Sequence, residues 1–129
     1  MDEAAARELI RDHFASGGRD EARASRIYAD NAVLEFPQGG ERIRGKANIM
    51  AMRIAYPASL DFEMGRTIGC GDVWVNEYTI RCDGRPSHVV GIMEFRDGLV
   101  VRETVYISDS WEPPAWRAEW VETITPPAD

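Results

Sequence analysis

The stretch that decides the fold runs from Val73 to Asp109: VWVNEYTIRC at 73–82, DGR at 83–85, PSHVVGIMEFR at 86–96, DG at 97–98 and LVVRETVYISD at 99–109. Its three long runs are rich in β-branched and aromatic residues, which suit a pleated, half-buried surface. Gly and Asp punctuate them as hairpin turns. A fourth run at 59–69 leads into Gly71-Asp72. Strands at about 59–69, 73–82, 86–96 and 99–109 therefore read as an antiparallel meander.

Working outward, residues 3–15 read as a helix, with Asp2 as its N-cap and Leu9, Ile10, His13 and Phe14 on one side. Ser16-Gly17-Gly18 stops it, and Asp20 caps a second helix through about Tyr28. Val33–Pro37 reads as a short strand and Glu41–Arg44 as another. Gly45 opens a third helix that stops at Tyr56-Pro57. Pro113-Pro114 starts a short C-terminal helix with Trp116 and Trp120 one turn apart, expected to pack on protein. The expectation is one α+β domain over residues 1–129: a curved antiparallel sheet with three N-terminal helices on its concave face.

Composition narrows the function classes. The chain has 129 residues and a net charge of −7, from 22 acidic and 15 basic residues. Without a basic stripe, nucleic acid and anionic membranes are poor partners. No apolar run approaches the roughly 18 residues of a membrane span, and the N-terminus lacks the pattern of a secretory signal. Two cysteines, Cys70 and Cys82, and two histidines, His13 and His88, do not make a metal site. Two free thiols suit a reducing compartment, the cytoplasm.

Strand alternation assigns faces. With Asp83-Gly84-Arg85 and Arg96-Asp97-Gly98 as three-residue loops, Gly91 faces both Glu77 and Glu103. One mostly apolar face then holds Val73, Val75, Glu77, Thr79, Val89, Gly91, Met93, Phe95, Leu99, Val101, Glu103, Val105 and Ile107. The other, aromatic-rich face holds Trp74, Tyr78, Val90 and Tyr106 and looks like a protein-contact surface. On this register the Glu77 and Glu103 Cα atoms lie on the order of 10 Å apart, across the open space above Gly91. An apolar cavity penalises the charge of at least one of them, as acid–base work near neutral pH requires. The alternative for Glu77 is a structural pair with Arg66.

Three strings, IYADNAVLEFPQGGERIRGKANI (27–49), GDVWVNEYTI (71–80) and VVGIMEFRDGLVVRETVYISD (89–109), resemble the nuclear transport factor 2-like superfamily in its SnoaL-like branch. The resemblance covers about residues 3–120. It implies a cone whose concave face and helices enclose an apolar pocket, and a convex face that commonly makes a dimer. The superfamily includes ketosteroid isomerase, limonene epoxide hydrolase, scytalone dehydratase, polyketide cyclases and non-catalytic binding domains, so fold alone leaves function open.

In the resemblance, Glu35 lies where epoxide-hydrolase relatives hold water; its alternative is an exposed residue on an edge strand. Phe36 stands where the isomerase base directly precedes the proline. His13 is near the isomerases' pocket tyrosine, or is a hydrogen-bonded core residue. Tyr28 donates to a substrate oxygen or satisfies a backbone carbonyl. The hydrolases' Asp-Arg-Asp set is absent, since Glu77, Thr79 and Val105 occupy the matching positions. The expected pocket wall is Phe14, Val75, Val89, Gly91, Met93, Val105 and Ile107. Asp109 sits at the rim or caps the following turn, and Trp116 covers the mouth or a partner chain.

These readings lead to a cofactor-free, metal-free isomerase, dehydratase or cyclase for a small apolar oxygenated molecule, working as a homodimer. Glu103 and Glu77, with Glu35 as a third acid, are its candidate acid and base. Tyr28 or His13 is the donor to oxygen. The alternative is a non-catalytic small-molecule-binding or assembly domain, favoured if the acids are structurally paired.

Overall fold

The computed structural model describes residues 1–124. Its elements are α1 (Glu3–Ser16), α2 (Glu21–Ala24), β1 (Tyr28–Phe36), β2 (Glu41–Arg44), α3 (Lys46–Ile54), β3 (Leu60–Cys70), β4 (Val73–Cys82), β5 (Arg85–Arg96) and β6 (Leu99–Asp109). The Asp2 carboxylate accepts from Ala5 N–H at 3.1 Å and caps α1. Asp20 does the same for Arg23 N–H at the start of α2. The second helix is shorter than its expected span to Tyr28. After Ala24 the chain tightens into a 3₁₀ turn, and Tyr28 already belongs to a strand.

The strands form one curved, open sheet in the order β2-β1-β6-β5-β4-β3. β3 to β6 are the expected meander. The sheet is mixed rather than wholly antiparallel, because β1 lies parallel to β6 while the other neighbours are antiparallel. Ala6, Ile10 and Phe14 of α1 and Ile49 of α3 pack on Leu34, Trp74, Met93 and Val105 of the concave face, and this is the core. Burying these side chains is the main favourable term in folding.

The two Asp-Gly hairpins set the register, and they differ from expectation. Each is a two-residue turn: Cys82 pairs with Arg85, and Arg96 pairs with Leu99. Asp83 and Gly84 have φ of 51° and 83°, and Asp97 and Gly98 have 52° and 82°. Paired positive φ values match the twist of a tight hairpin, which a three-residue loop does not require. One residue fewer in the turn moves β4 by one position and exchanges its faces. Trp74, Asn76, Tyr78 and Ile80 therefore look into the concave side. Val73, Val75, Glu77 and Thr79 look out.

In β6 a bulge beside Glu94 and Phe95 restores the expected parity. Glu103, Val105 and Ile107 share the face of Val89, Gly91 and Met93, but Glu103 pairs with Met93, and Gly91 with Val105. Near the turn, Val100 is buried instead of Leu99 and Val101.

The C-terminal segment is a 3₁₀ turn, Ala115–Trp120. Trp111, Trp116 and Trp120 are 70–75% exposed, so these indoles do not pack on their own domain, and packing on a partner chain is the expectation that is left. No helix among the described residues is long and apolar enough to cross a membrane. No cluster of three or more His, Cys, Asp or Glu side chains among them is placed to hold a metal.

Gly84→Ala and Gly98→Ala should each destabilise the protein by about 1 kcal/mol, the cost of an L side chain at φ near +80°. Urea unfolding checks this; two neutral substitutions would contradict the two-residue turns.

Candidate active site

Glu103 projects from β6 into the core and is 1% exposed. A buried carboxylate needs partners. The Tyr28 hydroxyl, from the first residue of β1, donates to Glu103 Oε1. Arg53 Nη2, from the last turn of α3, donates to the same oxygen at 3.4 Å. The Arg53 guanidinium also lies over the Tyr28 ring, 5.4 Å from its centre. One carboxylate thus joins β6, β1 and α3. Glu103 Oε2 and the Tyr78 hydroxyl each lie 3.7 Å from the point where a Gly91 side chain would begin.

His13 completes the group. Its Nδ1 is 2.7 Å from the Ala24 carbonyl oxygen. A carbonyl only accepts, so the neutral ring carries its proton on Nδ1 and keeps Nε2 as an acceptor. The ring stands edge-on to Phe14 and Tyr28. Burial, reinforced by the Arg53 charge, pushes the His13 pKa below its ordinary 6.5. Burial pushes the Tyr28 hydroxyl well up, and it raises Tyr78 with help from the Glu103 charge. For Arg53, burial opposes the charge, but Tyr28, Glu103 and Tyr78 outweigh it and hold the guanidinium protonated. At neutral pH the group consists of a cation, two neutral phenols and a neutral imidazole.

His13, Arg53 and Tyr78 border a cavity of about 700 Å³ between the helices and the concave face. Its wall is mostly apolar, with Phe14, Phe36, Phe62, Ile80, Val105 and Ile107 among its residues. His13, Arg53 and Tyr78 bring polar atoms to it from the core side, and Arg19, Asp20, Glu21, Tyr56 and Ser59 also line it. Glu103 and Tyr28 stand behind the wall, not in it. Val89 and Met93 are buried in the adjoining core.

Other expected site residues lie elsewhere. Glu77 and Val75 are on the convex side because of the register of β4. Arg66 Nε donates to Glu77 at 2.5 Å, and this bond holds the carboxyl below the usual carboxylate range. Glu35 also faces outward, paired with Arg42 at 2.7 Å and with Arg102. Arg42 lowers its pKa most. Asp109 is exposed and accepts from the Ser87 hydroxyl at 2.9 Å, as a strand-end residue. Trp116 is three-quarters exposed and lies away from the cavity.

Sequence reasoning missed Arg53 and Tyr78. Tyr78 was hidden by the one-residue slip in β4. Arg53 left a signal: it is the single charge in the apolar run Ile49–Ile54 of α3.

A mixed open sheet whose concave face and helices enclose an apolar cavity with a few polar side chains defines a small-molecule-pocket protein of the cone-fold type. The SnoaL-like domain family profile matches residues 6–103, and the chain belongs to this family. It is similar to an NTF-2 like protein of unknown function from Burkholderia xenovorans, with 42% identity over 95% of this chain and 98% of that one and a TM-score of 0.87. A structure from Kribbella flavida described as a "putative ketosteroid isomerase" has 27% identity over 95% and 92% of the chains, with a TM-score of 0.86. A "putative isomerase" from Bacillus subtilis has 27% identity over 84% and 90%, with a TM-score of 0.71. No functionally curated protein matches the chain.

Two outcomes follow from this geometry. Glu103→Ala should cost about 3–5 kcal/mol, the usual effect of removing one partner of a buried ion pair. Pairing it with Arg53→Met should recover part of the loss, as denaturant titration of both variants can show. His13 has a lower pKa folded than unfolded, so between the two values only the unfolded chain binds the proton. Its contribution to stability is full above pH 6.5 and declines as pH falls below it. A pH series of unfolding free energies should show this slope, and His13→Gln should flatten it.

Proposed function

We propose that this protein is a cofactor-free enzyme of the isomerase or cyclase type that moves a proton beside a carbonyl in an apolar small molecule. The observation that carries this reading is Arg53: a guanidinium braced from behind by buried Glu103 at the wall of a mostly apolar cavity, whose other charged lining residues, Arg19, Asp20 and Glu21, come from the start of α2 and the turn before it. Arg53 and the Tyr78 hydroxyl receive the substrate's carbonyl oxygen. His13 Nε2 accepts the proton from the adjacent carbon, and the electron pair moves to oxygen as an enolate. The guanidinium stabilises that developing charge more than it stabilises the neutral ketone, which is the condition for catalysis. The imidazolium then returns the proton to another carbon of the conjugated system. Glu103 and Tyr28 act as positioning residues. Glu77 and Glu35 have no part, because both are paired with arginines on the convex side.

The test is deuterium exchange at the α-carbon of apolar ketones in D₂O, followed by NMR. The protein should accelerate exchange, and Arg53→Met and His13→Gln should each lose about 100-fold or more. Because His13 works in its neutral form, kcat/KM should fall on the acid side only below pH 6.5.

The second reading, a small-molecule-binding or assembly domain without turnover, is favoured by one observation: Glu35, Glu77 and Glu103 are all paired with arginines. Ketone binding in the cavity without exchange would establish it.

The reading extends to a homodimer through the convex face, where Ile68, Val73, Val90 and Tyr106 are 37–51% exposed. Tyr78, expected in that patch, belongs to the concave side. Light scattering should give a dimer mass at micromolar concentration, and Val90→Glu with Tyr106→Glu should give a monomer.

A further inference from the structure

The core contains a polar atom that the site described above does not use. Asn76 is fully buried on the concave face of β4. The Thr67 hydroxyl donates to its Oδ1 at 3.0 Å and so orients the amide. Its Nδ2 has no hydrogen-bond partner among the described residues. A buried donor left unpaired is costly, so natural proteins seldom leave one.

Directly across the strand pair from Asn76 is Gly91. A methyl group built on Gly91 would meet nothing nearer than 3.7 Å, and its nearest neighbours include Glu103 Oε2 and the Tyr78 hydroxyl. An acceptor and a group able to do both therefore border one small notch, and the residue that carries the unpaired donor pairs with Gly91 across the strands. We propose that the notch over Gly91 is a subsite for a single water-sized neutral oxygen, held by Asn76, Glu103 and Tyr78. Two to four polar partners around a small space are what a buried water requires. The bound water gives Glu103, which stands behind the cavity wall, a hydrogen-bonded link through Tyr78 to the cavity. Only this use of the water rests on the proton-transfer reading; the subsite itself does not.

Gly91→Ala separates the alternatives. Alanine is better than glycine in a strand, and its methyl group fits without a clash. If the notch is only space, the substitution should raise the melting temperature. If it holds the proposed water, the methyl group displaces it, strands the Asn76 donor and lowers the melting temperature by several degrees. In an Asn76→Leu background, where no donor remains, the same Gly91→Ala change should no longer lower it. High-resolution crystal structures give the direct readout. The wild type should show one water within about 2.7–3.2 Å of Asn76 Nδ2 and of Glu103 Oε2, and Gly91→Ala should lack it. A dry notch in the wild type, or a melting temperature raised by Gly91→Ala, would overturn the proposal. Neither result depends on turnover, so the proton-transfer reading stands or falls separately.

Discussion

Glu103 is a carboxylate with 1% of its surface exposed, and the interior of this domain is arranged around satisfying it. Removing such a group from water costs several kcal/mol even after relaxation, so it survives only with well-placed partners. The partners come from distant parts of the chain: Tyr28 from the start of β1 and Arg53 from the end of α3. The short second helix and the 3₁₀ turn before Tyr28 bring that phenol under β6. The parallel pairing of β1 with β6 sets Leu34 beside Glu103 in the same row. Had β1 begun at Val33, as its sequence pattern suggests, Tyr28 would not lie on the sheet.

The same pairing prepares the cavity wall. A free guanidinium on an apolar surface would turn toward water. Glu103 holds Arg53 with only 24% of its side chain exposed, and its charge keeps the guanidinium protonated. The imidazole of His13 stays neutral for the complementary reason: burial and a nearby cation both disfavour a second positive charge. Burial thus keeps the neighbours His13, Tyr28 and Tyr78 neutral, and at His13 the Arg53 charge adds to it. The acids that are easily noticed in the sequence, Glu35 and Glu77, belong to solvent-facing pairs, where screening makes each interaction weak.

The sequence by itself determined the class of the fold and most element positions. α1, β2, α3 and the four-strand meander follow from hydrophobic period, caps and Asp-Gly or Gly-Asp turns, all local properties. Glu103 was also legible, because an acid between Val101 and Val105 breaks an apolar alternation. The tertiary structure decided which faces look inward. A turn shorter by one residue exchanged the faces of β4, moving Glu77 and Val75 outward and Trp74, Asn76 and Tyr78 inward. The β5–β6 loop was also one residue shorter, but a bulge in β6 compensated, so Glu103 was not displaced. Turn length and bulges depend on pairing between strands, and a period-2 pattern with apolar residues on both faces does not reveal them. The partnership of Arg53 with Glu103 spans 50 residues of sequence and depends on packing α3 against the sheet. Local pattern carries no information about such a contact, and only the folded chain brings the two charges together.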